Sequence, residues 1–304
     1  MSHDRPHPDP EASFEPYRRR LLGLAYRMLG SLSDAEDAVQ ETYLRWHAVA
    51  RTEVSEPRAF LMTTTTRICL DMLTSARARR ETYVGPWLPE PVLDTASLAP
   101  DTRLELAEDL SIALLLTLDR LSPLERAAFL LHDVFDFSFD EIAAALNRSS
   151  AACRQLAARA RAHVRAARPR GVAAPALPPG EVDAKHAQLV SAFIEATSSG
   201  DLNTLTRLLA ADARVVSDGG GKLAAALNVI EGADRAARFL VGATRKGWRE
   251  DYTLRLVMIN GMSGLVISGP EGPVQTAAFE IEGDVIRALY VVRNPDKLRH
   301  LAAG

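Results

Sequence analysis

Residues Ser138–Arg165 read SFDEIAAALNRSSAACRQLAARARAHVR, and this stretch decides the fold of the middle of the chain. Ser138 and Glu141 stand three apart, so hydroxyl and carboxylate can each satisfy a free amide at a helix start. Phe139, Ile142, Ala143 and Leu146 then fall on one stripe, Asn147-Arg148 turns the chain, and Ser149 or Ser150 can cap a second helix. Two short helices joined by a tight turn predict a helix-turn-helix. On the second helix Cys153, Leu156, Ala157, Ala160 and Val164 share one side, while Arg154, Arg161 and Arg165 form another line with Gln155 and Arg159 beside it. From Asn147 to Gly180 there are seven arginines and no acidic residue. Guanidinium groups on one face can neutralise phosphates and reach base edges while the opposite face holds the helix to its domain, so this rod is expected to bind DNA.

Outward from this point, Ser122-Pro123-Leu124-Glu125 writes a second capping box and opens the preceding helix. Pro and Gly punctuation at Val84–Pro91 and at Pro169–Gly180 marks two connectors. The expected organisation is a helical module over 1–84, a connector over 85–101, a second helical module over 102–170, a connector over 171–182 and a third module over 183–304. In the first module Ser33-Asp34-Ala35-Glu36 reads as a capping box, with a helix beginning there. Ala35, Ala38, Val39, Thr42 and Trp46 recur at helical spacing, leaving Asp34, Asp37, Gln40 and Glu41 as an acidic outer face. The next helix starts near Pro57. It carries Phe60, Leu61, Ile68 and Met72 inward, interrupts them with Thr63, Thr64, Thr65, Thr66 and Arg67, and ends in Arg77, Arg79 and Arg80. Hydroxyls followed by cations suit unpaired bases and phosphates, although a solvated helix end has the same letters.

The 304 residues are 47% hydrophobic and 25% charged, the balance of a globular protein. No run of some eighteen apolar residues and no secretory leader occurs, so a cytoplasmic, membrane-free location is expected. With a formal net charge of −3, contact with nucleic acid must come from a locally basic surface. Cys69 and Cys153 lack ligand spacing and read as buried thiols; neither a metal nor a cofactor is expected.

After Glu181 a long amphipathic helix and a second helical stretch precede period-two patterns. Strands are predicted over Arg214–Ser217, Tyr252–Asn260, Gly264–Ser268, Val274–Glu282 and Val285–Val292, with Gly283-Asp284 as a tight hairpin. A curved antiparallel sheet in an α+β domain is expected. Three further motifs stand out: Trp87-Leu88-Pro89-Glu90-Pro91, Asp218-Gly219-Gly220-Gly221-Lys222 and Asn294-Pro295-Asp296-Lys297-Leu298. The glycines permit turns closed to other residues and close approach by another segment. They are not a phosphate loop, because Gly221-Lys222-Leu223 lacks the following hydroxyl. Asn294-Pro295 can cap a last short helix, and Trp87 between prolines suits a rigid anchor.

The two helical segments resemble the extracytoplasmic-function sigma factors, in the run Asp34–Glu41, the stretch Phe60–Leu73 and the helix-turn-helix. The resemblance implies a multidomain chain with two all-α sigma domains, regions 2 and 4, the latter a helix-turn-helix. It implies that Asp34, Asp37, Gln40 and Glu41 dock on core RNA polymerase. Thr63, Thr64, Arg67, Arg77, Arg79 and Arg80 would open and read the minus-ten promoter element. Arg148, Ser149, Ser150, Arg154, Gln155 and Arg159 would read the minus-thirty-five element. Arg67 and Thr74 stand where members often carry asparagine and arginine, which leaves the promoter sequence open. The last segment resembles a cone-shaped SnoaL-like domain. In the sigma factors carrying one, the three motifs imply interdomain regulation. The alternative is an isomerase or cyclase using Asp218 or Tyr290, or a ligand-sensing regulator whose C-terminal domain takes a small molecule.

Overall fold

A computed structural model describes residues 10–49, 54–93, 111–167 and 184–303. The chain divides into two compact units, one from the described parts of 1–79 and 117–167, the other from those of 80–116 and 168–304.

The first unit is helical. Helix α1 (Pro10–Leu29) ends where Gly30, at φ 70°, turns the chain and donates its amide to the Tyr26 carbonyl at 2.7 Å. Helix α2 spans Leu32–Ala48 and is capped by Ser31, whose hydroxyl accepts from the Asp34 amide at 3.1 Å. The sequence expectation of Ser33 as cap is corrected: the glycine turn leaves Ser31 extended, so the helix begins two residues earlier. Helix α3 (Pro57–Glu81) buries Leu61, Met62, Ile68 and Cys69, and its Phe60 meets the Trp46 ring of α2 at 5.7 Å. Burial pushes the Cys69 thiol well up from its ordinary range.

Helix α4 covers Ile112–Asp119, and the division between units falls within it. Helix α5 (Pro123–Phe129) runs into a π-helical turn at Leu130–Val134, then α6 (Phe139–Leu146) and α7 (Ser150–Ala167) follow. Of the three predicted capping boxes, the two of this module form, Ser122 with Glu125 and Ser138 with Glu141.

The second unit holds α8 (Ala184–Ser199), α9 (Leu202–Leu208), β1 (Leu209–Asp218), β2 (Ile230–Glu231), α10 (Ala233–Gly247), β3 (Thr253–Ile259), β4 (Met262–Gly269), β5 (Gly272–Glu282) and β6 (Val285–Val292). The sheet order is β2-β1-β6-β5-β4-β3. The all-antiparallel expectation is corrected, because β1 runs parallel to β6 while the other neighbours are antiparallel. The β5–β6 hairpin turns at Gly283, φ 62°, as predicted.

Strand alternation gives the sheet two apolar faces. Val215, Ala277, Leu289 and Val291 point to the helices, where Val190, Phe193, Leu205, Ala236 and Leu240 meet them. Phe193 and Phe279 fill the middle edge-to-face at 5.2 Å. Val216, Ala278, Ala288, Tyr290 and Val292 point the other way and are covered by Leu88, Ile112, Leu298 and Leu301. The connector after α3 is therefore part of this domain's core. Among the described residues, no helix is long and apolar enough to cross a membrane.

Candidate functional site

The helix-turn-helix is built by local chemistry. Asn147 closes α6 in the left-handed region (φ 51°, ψ 54°), where asparagine is tolerated, and its amide donates to the Ala143 carbonyl. The Ser149 hydroxyl then caps α7, accepting from the Ala152 amide at 3.2 Å, and Ser150 donates to Asp140 at 2.5 Å. Cys153, Leu156, Ala157, Ala160 and Val164 are buried as the periodicity required. Arg148, Ser149, Arg154, Gln155, Arg159 and Arg165 are exposed. Two arginines of the rod are engaged at home: Arg159 pairs with Glu125 at 2.7 Å and Arg161 with Asp133 at 2.8 Å. The Arg159 hydrogen bond, helped by Ser122, holds the Glu125 carboxyl below the usual carboxylate range. Arg154 lies over the Phe139 ring at 5.5 Å and is exposed, as is Gln155 beside it, so the first two turns of α7 present polar side chains to solvent.

Helix α3 places its threonines differently from a row of solvent hydroxyls. Thr64, Thr65 and Thr66 are buried, and each donates to the carbonyl four residues back, at 2.8, 2.9 and 2.8 Å. Thr65 also meets the Thr42 hydroxyl at 2.9 Å, tying α3 to α2. Thr63 is half-buried. Arg67 reaches α6, donating from Nε to the Ala145 carbonyl and from Nη2 to the Ala144 carbonyl, both at 2.9 Å. It thus satisfies carbonyls of a last helical turn, which have no partner within the helix and carry the negative end of its dipole. Arg58 does the same for the Phe135 carbonyl at 2.5 Å and lies over the Phe137 ring. Arg126 on α5 donates to the Met28 carbonyl and pairs with Asp119 at 3.1 Å. Arg77, Arg79 and Arg80 fall on the last turns of α3, and their side chains lie outside the described residues.

On α2, Asp37 and Gln40 are exposed, Asp34 and Glu41 half-buried, and Glu41 pairs with Arg45 at 2.9 Å. Leu44 lies 55% exposed one turn beyond Gln40 and Glu41, an apolar point within this acidic face.

The three glycine- and proline-marked motifs meet in the second unit. Asp218 is fully buried at the end of β1. Its Oδ1 accepts from the Tyr83 hydroxyl at 2.5 Å and the Gly220 amide at 3.0 Å. Its Oδ2 accepts from the Leu88 amide at 2.8 Å and Lys297 Nζ at 2.7 Å. Lys297 also donates to the Leu88 carbonyl and lies over the rings of Trp87 (4.3 Å) and Tyr83 (5.0 Å). Asn294 caps the 3₁₀ turn Pro295–Lys297 through the Asp296 amide at 3.1 Å and donates to the Tyr83 hydroxyl at 2.9 Å. Lys222 pairs with Asp296. Gly220 needs to be glycine, since φ is 60° and a Cβ there would stand 2.3 Å from Asn294 Nδ2. Pro89, Glu90 and Pro91 are buried, the Pro91 carbonyl meets His300 at 2.7 Å, and Val92 pairs with Asn260. Gly219 is buried and Gly221 lies against Val84.

This arrangement removes Asp218 as a free base: four donors surround it. Burial first, then the hydrogen bond and charge of Asp218, push the Tyr83 phenol up. Tyr290 donates to Glu280 at 2.6 Å inside the sheet's core, and burial with the Glu280 charge pushes its phenol up as well. Sequence reasoning missed Tyr83, Arg58, Arg126 and Asn260. Apart from Asp119, seven residues before Arg126, their partners lie tens of residues or more away in the chain, and those of Arg58, Arg126 and Asn260 include backbone groups that carry no residue signal.

Residues 14–79 match the family Sigma-70 region 2, and residues 111–164 match Sigma-70, region 4. The ECF RNA polymerase sigma factor SigJ of Mycobacterium tuberculosis (strain ATCC 25618 / H37Rv) is 39% identical over 296 residues, covering 94% of this chain and 92% of that protein. The ECF RNA polymerase sigma factor SigG of the same species (strain CDC 1551 / Oshkosh) is 35% identical over 226 residues, 67% of this chain and 60% of that protein. The crystal structure of Mycobacterium tuberculosis SigJ superposes with a TM-score of 0.74 at 34% identity, over 95% of this chain and 98% of that chain.

Proposed function

The chain belongs to the extracytoplasmic-function RNA polymerase sigma factors, and from that premise we propose which of its surfaces carry each step of promoter-directed transcription initiation. It is a transcription factor rather than an enzyme, in keeping with a C-terminal domain whose Asp218 and Tyr290 are consumed by internal hydrogen bonds.

The first turns of α7 read duplex DNA at the minus-thirty-five element, with Arg148, Ser149, Ser150, Arg154 and Gln155 nearest the groove and Arg159 on the backbone side. The carrying observation is a fully capped helix-turn-helix whose second helix buries one face and leaves a cationic one in solvent. Helix α3 takes the minus-ten strand through Thr63, Arg67 and the cluster Arg77, Arg79 and Arg80. Thr64 supports that helix from inside, because its hydroxyl is committed to Phe60. The acidic face of α2, Asp34, Asp37, Gln40 and Glu41, meets core polymerase. The C-terminal domain modulates the output through Tyr83 and the connector 87–91, which Asp218, the glycines 219–221, Lys222, Asn294, Pro295, Asp296 and Lys297 hold. A small-molecule ligand of that domain gains no support from the relatives.

Run-off transcription with core polymerase tests this reading. Promoter-dependent product is expected from the full chain, and Arg154→Ala should lower promoter affinity by about tenfold, the scale of a single base-edge interaction. Absence of product with core on every template offered would overturn the reading. Truncation after Arg170, assayed beside the full chain, measures the effect of the C-terminal domain; equal output would remove that domain from regulation.

A further inference from the structure

We infer that the outer face of α10, with the turn that follows it, is a second and sequence-independent contact for the sugar-phosphate backbone of promoter DNA. The inference rests on the reading of this chain as a promoter-binding factor. From Ala233 to Arg255 the chain carries six basic and three acidic residues, within a protein of net charge −3. At 3.6 residues per turn, Arg235, Arg238, Arg245 and Lys246 fall within about a third of the helix circumference, and all are exposed. Arg238 is paired with Asp234 at 2.9 Å, whereas Arg235, Arg245 and Lys246 engage no carboxylate among the described residues.

In the middle of that cationic arc stands Gly242. A Cβ there would meet nothing within 4 Å, and its φ is an ordinary helical one, so neither packing nor backbone geometry requires glycine. Glycine weakens a helix interior. A flat spot between cations is what a phosphate chain needs for close approach, and it gives the weak position a purpose. Trp248 follows the helix, 47% exposed and edge-on to Tyr252 at 6.1 Å, with Arg249 over the Tyr252 ring. An indole left this open beside cations suits packing on sugars or an unpaired base.

A bilayer is the other polyanionic partner for a basic amphipathic helix, but that mode needs a free apolar face. Here Ala236, Ala237, Leu240 and Val241 are buried in the domain core, so α10 has only its charged side to offer.

The test uses full-length protein assembled with core polymerase and titrated on a promoter fragment across a salt series. Replacing Arg235, Arg245 and Lys246 together by alanine should lower affinity about tenfold and make the slope of log affinity against log salt shallower by about 2.7, at roughly 0.9 for each phosphate no longer neutralised. Gly242→Leu keeps every cation and strengthens the helix, yet should weaken binding by blocking the approach. Affinity and slope unchanged in both variants would overturn the inference, as would a loss confined to co-sedimentation with anionic phosphatidylglycerol vesicles. Failure of the parent protein to bind the promoter at all would instead overturn the sigma-factor reading.

Discussion

The Nε of Arg67 lies 2.9 Å from the carbonyl oxygen of Ala145, so a guanidinium on the helix assigned to the minus-ten element closes the last turn of the first helix of the helix-turn-helix. Two of its five donors are committed to α6 in this way, so under the proposed role an unpaired DNA strand would meet Arg67 through the remaining donors or in exchange for these hydrogen bonds. A charged donor on a carbonyl contributes about 1.5–3 kcal/mol when buried and less when solvent competes. Because Arg67 is exposed, Arg67→Ala is expected to cost only about 1 kcal/mol in a urea melt. It should also speed amide exchange at the end of α6. An unchanged exchange rate there would mean that water replaces the guanidinium without loss.

Asp218 and Lys297 form an ion pair at 2.7 Å with side chains 0% and 9% exposed. Breaking such a pair from one side strands a charge away from water, at about 3–5 kcal/mol. The two sides are not equal. Asp218 retains the Tyr83 hydroxyl and the Gly220 and Leu88 amides when the lysine goes, whereas loss of the carboxylate takes the acceptor from those three donors and from the Lys297 ammonium together. Asp218→Ala should therefore destabilise the C-terminal domain more than Lys297→Met. Denaturant midpoints give the order, and Trp87 emission reports release of the connector. The reverse order would show that the carboxylate, not the ammonium, depends on the pair.

The helix-turn-helix was legible because its instructions are local: Ser138 with Glu141, Asn147 at the turn and Ser149 at the next cap each act within four residues. At α2 two serines compete for one cap, and the choice of Ser31 over Ser33 is made by Gly30, whose turn sets where the helix can start. Helix α10 is strongly amphipathic, with Ala233, Ala236, Ala237, Leu240 and Val241 on its buried stripe and Arg235, Arg238, Arg245 and Lys246 opposite, so its periodicity was there to be read and was missed. Strand β2, two residues long, has no pattern to find. The parallel pairing of β1 with β6 joins strands some seventy residues apart and follows from the sheet as a whole. The motifs at Trp87, Asp218 and Asn294 were visible as unusual letters, but that one carboxylate gathers all three depends on Tyr83 and Lys297 reaching it from opposite ends of the chain.

Asn147 occupies φ 51°, a region that costs an ordinary L-residue about 1–2 kcal/mol and a β-branched one more. Asn147→Gly should leave the melting temperature unchanged or slightly raised. Asn147→Val should lower stability by about 2 kcal/mol and, by tilting α7, weaken minus-thirty-five binding beyond what the melt accounts for. A valine variant with parental promoter affinity would separate the turn from the orientation of the recognition helix.

Glu125 and Glu141 supply the carboxylates of the two capping boxes, and both are held below the ordinary value of 4.5, Glu125 chiefly by Arg159 and Glu141 chiefly by the Ser138 hydroxyl. A carboxyl with a lowered folded pKa binds fewer protons than the unfolded chain does just below 4.5. Its stabilisation is thus complete above that pH and fades as pH falls through the folded value. The parent should lose stability along this acid limb, while Glu125→Gln, weaker at neutral pH, should show a shallower slope, so that the two curves converge on acidification. Promoter DNA changes the balance. If a phosphate draws Arg159 from Glu125, the largest cause of the lowered pKa is removed, and the carboxyl returns toward its ordinary range. Binding near pH 4 should then be accompanied by proton uptake in the parent and by less in Glu125→Gln, which calorimetry in buffers of different ionisation enthalpy measures directly. Equal uptake in both proteins would show that Arg159 keeps its partner on the promoter and that the backbone contact falls to Arg148, Arg154 and Arg165.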